Sequence, residues 1–175
     1  MRIEEFNERD AASARAIVAV WAAIPAWVDD LVGARPYASV EALASRAADL
    51  AAGWTRADLD AALAHHPRIG EKPVGAGAEA AASRREQASM TDAAADVAAR
   101  IDAGNAAYEQ RFRRVFLIRA AGRSPEEMLA QLERRLGNDD DAEAAEALGE
   151  LREIALLRLR AAIHDGHQGD EGADS

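Results

Sequence analysis

Residues 92–111, DAAADVAARIDAGNAAYEQR, decide the fold. Val97, Ile101 and Tyr108, with Phe112 just beyond, are separated by four, seven and four residues. An α-helix returns to one face at those intervals, so the spacing predicts a long amphipathic helix over about 92–111 with a single apolar stripe. Alanine dominates the chain and β-branched residues are sparse, which favours helix over strand wherever such a period occurs. Leu148, Leu151, Ile154 or Ala155, and Leu159 repeat the pattern and predict a terminal helix over about 142–164. Arg158 falls close to that stripe, and a buried-side arginine requires an anion or carbonyl partner.

Helix starts are legible in two places. Thr55 with Asp58 three residues on is a cap, and Ser124-Pro125-Glu126-Glu127 sets a cap, an N1 proline and an N3 glutamate in order, opening a helix that ends near Gly137. Val115-Phe116-Leu117-Ile118 is too short an apolar run for periodicity to assign, and is read as an extended or irregular core segment. The expected class is all-α, a single-domain compact helical bundle over residues 1–164, followed by a disordered acidic tail over 165–175.

Composition narrows the function. The chain has 175 residues, no cysteine and a formal net charge of −10. Without cysteine there are no disulfides, thiolate nucleophiles or cysteine metal sites, so any chemistry falls to His, Glu, Arg, Ser or backbone groups. The acidic balance and the lack of a separate basic block argue against nucleic acid as a partner. No run of about 18 apolar residues suggests a membrane span, and the first residues, MRIEEFNERD, lack the basic-then-apolar form of a secretory signal. The last residues, Gly-Ala-Asp-Ser, do not form a Ser-Lys-Leu peroxisomal signal. The expectation is a soluble, cytoplasmic protein.

Two polar strings stand out from the alanine-rich background: His65-His66-Pro67-Arg68-Ile69-Gly70-Glu71 and Ser83-Arg84-Arg85-Glu86-Gln87. Proline disfavours the α conformation in the residue before it, so His66 is expected where a helix ends, as a terminal histidine or as one facing a cleft. Ser83, Glu86 and Gln87 are three and four residues apart and share a face on a helix, where they form a polar recognition surface. Taken alone, Glu86 also reads as a solvated carboxylate paired with a base, and Arg158 as a core ion-pair partner for Glu153 or Glu109. Arg84 and Arg85 read as surface charges. The loop from residue 71 to 79, with Pro73, Gly75 and Gly77, suits a flexible cover between the strings. His65, His66 and Glu71 do not reproduce the i, i+4 pair of a zinc helix, so no metal site is expected, and Gly75-Ala76-Gly77 lacks the context of a nucleotide motif.

The strings HPRIGE and SxxEQ, in this order, resemble the signature of 2-oxo-4-hydroxy-4-carboxy-5-ureidoimidazoline (OHCU) decarboxylases. The resemblance continues through Arg35-Pro36-Tyr37, residues 112–124 (FRRVFLIRAAGRS), Arg135-Leu136-Gly137-Asn138 and Glu153-Ile154-Ala155-Leu156-Leu157-Arg158-Leu159, and so spans about residues 6–162. It implies a carboxy-lyase of urate breakdown that yields (S)-allantoin, needs no cofactor and acts on a small-molecule substrate, with a homodimer compatible. It also implies His66, Glu86 and Arg158 as catalytic residues. Pro67, Ser83 and Gln87 would contact the substrate, as would backbone groups of Ile118, Arg119, Ala120 and Ala121. A same-fold enzyme for a related ureide, or a non-catalytic helical binding module, are the alternatives.

Two positions depart from the family pattern. Relatives commonly carry glycine where this chain has Arg113, and arginine adopts positive φ less cheaply than glycine. Asn138-Asp139-Asp140-Asp141 replaces an expected proline-containing linker and is read as a loop away from the chemistry.

Overall fold

The computed structural model describes residues 1–64, 68–70, 77–88, 90 and 93–166. Nine helices occur among them: α1 (Ile3–Glu8), α2 (Ala11–Trp21), α3 (Pro25–Gly33), α4 (Val40–Ala51), α5 (Arg56–Leu63), α6 (Ala78–Glu86), α7 (Ala95–Phe112), α8 (Pro125–Arg135) and α9 (Asp140–Ala162). The described residues contain no strand, only an isolated bridge between Arg2 and His164. The all-α expectation holds.

The caps behave as the sequence chemistry requires. Thr55 and Ser124 each close a reciprocal capping box, with Asp58 and Glu127 respectively, satisfying amides that a helix start leaves without partners. α7 carries its predicted stripe, with Val97, Ile101, Tyr108 and Phe112 all buried. It begins at Ala95, later than the apolar period suggested. α9 begins at Asp140 instead of near 142, because Asp139 is its N-cap and accepts the Ala142 N–H at 2.8 Å. Residues read as loop thus form a helix start, where acidic side chains are favoured by unpaired amides and by the helix dipole. At its other end α9 stops at Ala162. His164 is drawn into the bridge, accepting from the Ile3 N–H at 3.0 Å and donating to the Met1 carbonyl at 3.0 Å. Asp165, expected to open the tail, accepts the Val40 N–H at 2.8 Å; residues 167–175 lie outside the described residues.

Packing gathers around two apolar clusters. The larger joins α1–α5 to α9 and includes Phe6, Trp21, Trp27, Leu43 and Leu159. The smaller joins α7 and α8 through Ile101, Tyr108, Phe112, Met128 and Leu132. Gly104 permits that approach: a Cβ there would stand 2.6 Å from a Leu132 methyl. The apolar run after α7 lies between the clusters. Val115 and Leu117 pack on the larger, whereas Phe116 and Ile118 belong to the smaller. Alternation with a period of two is the mark of extended backbone, which settles what periodicity alone left open.

Arg113, just before this run, has φ 58 and ψ 25 and caps α7, its N–H donating to the Glu109 carbonyl at 2.9 Å. The left-handed geometry that suits glycine is therefore kept with arginine in place.

Behind the extended run lies a buried polar network. Arg135, 1% exposed, donates from Nε to Glu143 at 2.9 Å and from Nη1 to the Leu117 carbonyl at 2.8 Å. It also stands over the Phe116 ring, 4.6 Å from the centroid. Tyr108 Oη donates to Glu143, and Asn138 Nδ2 does so at 2.9 Å. Burial, and then the hydrogen bond to Glu143, push the Tyr108 phenol far above its ordinary range. Burial opposes the charge on Arg135, but the bond and the charge of Glu143 outweigh it and raise its pKa.

Candidate active site

Glu86 ends α6 and Arg158 lies in the last two turns of α9, yet the two meet. Arg158 donates from Nε to Glu86 Oε1 at 2.6 Å and from Nη2 to Oε2 at 2.8 Å. Its Nη1 donates to the Val20 carbonyl at 2.9 Å and its Nη2 reaches Ser83 Oγ at 3.3 Å. The arginine side chain is 6% exposed and the glutamate 22%. A planar guanidinium held on both edges is fixed in orientation as well as in charge. From spacing alone the partners of Arg158 were Glu153 or Glu109. The structure instead gives it Glu86, while Glu153 pairs with Arg119 and Glu109 with Arg68.

The pair lines a cavity of about 390 Å³. α2 contributes Val20 and Trp21, α6 contributes Ala82 and Arg85, and α9 contributes Ile154 and Leu157. Arg119, Ala120 and Ala121 close a further side. A mainly apolar concavity with a few converging polar groups is the usual form of a small-molecule site.

Five of the residues anticipated from the sequence, Glu86, Arg119, Ala120, Ala121 and Arg158, therefore line the cavity. Ile118 is buried in the smaller cluster. The peptide groups of Arg119 are already engaged. Its N–H donates to Glu150 Oε2 at 2.7 Å and its carbonyl accepts from Arg123 Nη1 at 3.1 Å, so its peptide groups meet the cavity already partnered. Ser83 is buried against Arg158. Gln87, expected beside Glu86, turns to the first motif: its Oε1 accepts the Gly70 N–H at 2.9 Å. The reason is local. Gln87 is the C-cap of α6 and its backbone has left the helix, so the i, i+4 face no longer applies.

His66 and Pro67 lie outside the described residues, as does residue 71–76 of the expected cover. Their flanks are tied down. α5 ends at Leu63 with Ala64 as its cap. On the other side, Arg68 pairs with both oxygens of Glu109 at 2.5 and 2.6 Å, and Asn105 Nδ2 donates to the Ile69 carbonyl at 3.0 Å. Gly70, at φ 85, makes the turn that a side chain would strain.

Arg85 was read as a surface charge, yet it lines the cavity. The walls from α2 were not anticipated at all. Val20 is 138 positions from Arg158, and no local pattern in an apolar helix marks one carbonyl as a receptor for a distant guanidinium.

The model of the OHCU decarboxylase family matches residues 7–160. The chain belongs to the OHCU decarboxylase family. Among relatives, the 2-oxo-4-hydroxy-4-carboxy-5-ureidoimidazoline decarboxylase of Amia calva is 34% identical over 72% of this chain and 73% of its own length. The Mus musculus protein of the same name is 30% identical, covering 71% of each. A crystal structure of OHCU decarboxylase in the presence of (S)-allantoin covers 82% of this chain and 94% of its own, with a TM-score of 0.69 and 23% identity, and shares the fold.

Proposed function

We propose that this chain decarboxylates OHCU to (S)-allantoin without a cofactor, acting as a carboxy-lyase in purine degradation. The observation that carries the reading is the Glu86–Arg158 pair, oriented by Val20 and Ser83 in an apolar cavity.

The substrate's carboxylate sits on a carbon beside an imine-type ring carbon, so the electron pair left as carbon dioxide departs flows into the ring. No external electron sink is required. The enzyme must orient the scissile carboxylate, stabilise charge as it moves and deliver a proton to one face of the planar centre. Apolar walls such as Trp21, Ile154 and Leu157 strip water from the carboxylate, which favours the more dispersed charge of the transition state.

In this scheme Glu86 accepts hydrogen bonds from the ureido or ring N–H groups through its remaining lone pairs, and Arg158, its fork held on Glu86, offers a substrate carbonyl the Nη1 N–H not given to Val20. His66 is the acid/base group, since an imidazole can both accept and donate a proton. Ser83 and Gln87 hold Arg158 and the turn at Gly70 in register. No described helix is long and apolar enough to cross a membrane, and a cytoplasmic location fits the reading.

The test is circular dichroism of OHCU generated in situ by urate oxidase and hydroxyisourate hydrolase. Added protein is expected to produce a rapid (S)-allantoin signal that His66→Ala abolishes. Decay at the rate of the protein-free control would refute the activity, and full turnover by His66→Ala would refute the role of that residue.

A further inference from the structure

Among the described residues, three arginines, Arg85, Arg119 and Arg158, line the cavity against one carboxylate, Glu86. They are not equivalent. Arg158 is committed on both edges, and its charge is compensated by Glu86 at hydrogen-bonding distance. An anion entering the cavity meets little net attraction from it. The molecule as a whole has a formal charge of −10, so its long-range field repels an anion. A site for an anionic molecule needs local positive charge from elsewhere.

Arg119 can supply it. Nη1 donates to the Ala121 carbonyl at 2.6 Å, and the residue's backbone is clamped by Glu150 and Arg123, so its position is set before any ligand arrives. Its remaining charge partner is Glu153, at 2.7 Å from Nε. Glu153 is 58% exposed and Arg119 30%. A pair so open to solvent contributes little, so this carboxylate is readily exchanged for another. The Arg85 side chain makes no hydrogen bond or ion pair with the described residues, although the residue lines the same cavity from α6.

We propose that Arg119 and Arg85 are the anion-recognition pair of this site, Arg119 exchanging Glu153 for the carboxylate of an open or cyclic ureide while Arg85 adds charge from α6. The proposal rests on the decarboxylase reading, and assigns the selection of a negatively charged ureide to side chains other than Arg158.

Isothermal titration of the full-length protein with two probes tests it: allantoate, a ureide with a carboxylate, and (S)-allantoin, its neutral ring counterpart. Wild type is expected to prefer allantoate. Arg119→Ala and Arg85→Ala should each weaken allantoate binding by about tenfold, the scale of one charge-assisted contact, with allantoin affinity within about twofold. Arg119→Lys should recover part of the loss, and raising salt should narrow the wild-type preference. An Arg85→Ala/Arg119→Ala double variant that keeps the preference would overturn the proposal, as would equal weakening of both ureides, which is the mark of a structural role. If wild type binds neither ureide, the decarboxylase reading fails first and the recognition pair falls with it.

Discussion

Glu86 and Arg158, 72 positions apart in the chain, are joined by two hydrogen bonds of 2.6 and 2.8 Å, with the arginine buried and the glutamate partly open to the cavity. Each orients the other. Arg158→Lys keeps the charge but cannot bridge both carboxylate oxygens, and Glu86→Gln removes the acceptor that balances it. Each substitution is expected to lower kcat/KM by about 100-fold or more, the range seen when a single preorganised polar group is lost. Steady-state kinetics on freshly generated OHCU check this, and activity near wild type in either variant would remove the pair from the chemistry.

Arg135 and Glu143 form a second pair, fully buried behind the segment that walls the cavity. Breaking such a pair leaves an uncompensated charge in the interior. Glu143→Gln should therefore destabilise the protein by about 3–5 kcal/mol. The double change Arg135→Met with Glu143→Leu should cost less than the sum of the single changes. Urea unfolding of the four proteins in a thermodynamic cycle measures the coupling, and additive losses would contradict it.

Arg113 pays for a left-handed backbone at φ 58. Arg113→Gly relieves a strain of about 1–2 kcal/mol and gives back part of it in chain entropy. A net gain of about 1 kcal/mol is expected, seen as a Tm rise of about 2–4 °C in a protein of this size. A lower Tm would show that the Arg113 side chain contributes more than its backbone costs.

Acid should weaken the fold in a definite window. The hydrogen bond from Arg134 holds the Glu146 carboxyl below its ordinary value, and the backbone N–H of Thr55 does the same for Asp58. Groups depressed in the folded state bind fewer protons there than in the unfolded chain. Their stabilisation is present above the ordinary carboxylate range and is lost as pH falls through the lower, folded values. The urea midpoint is expected to be flat from about pH 7 to 5 and to decline below about pH 4.5, and Asp58→Asn with Glu146→Gln should flatten that decline. An unchanged slope in the double variant would place the acid sensitivity elsewhere.

Local chemistry was open to reading in the sequence because its causes are local. The stripe on α7, the capping boxes at Thr55 and Ser124 and the placement of Arg158 beside an apolar seam follow from helix period and from amides near one another in the chain. Asn138-Asp139-Asp140-Asp141 carried a capping signal too, but a run of acids reads equally as solvated loop until the amides behind Asp139 are seen to need it.

By itself the sequence determined the all-α class, the caps and the family, since each depends on residue type and near-neighbour spacing. Tertiary structure decided which of those residues meet. It gave Arg158 to Glu86 instead of Glu153, turned Gln87 toward Gly70, spent the backbone of Arg119 on Glu150 and Arg123, and brought Arg85 to the cavity. These pairings span up to 138 positions, and a charge finds its partner across that distance only through the packing of helices that no local pattern encodes.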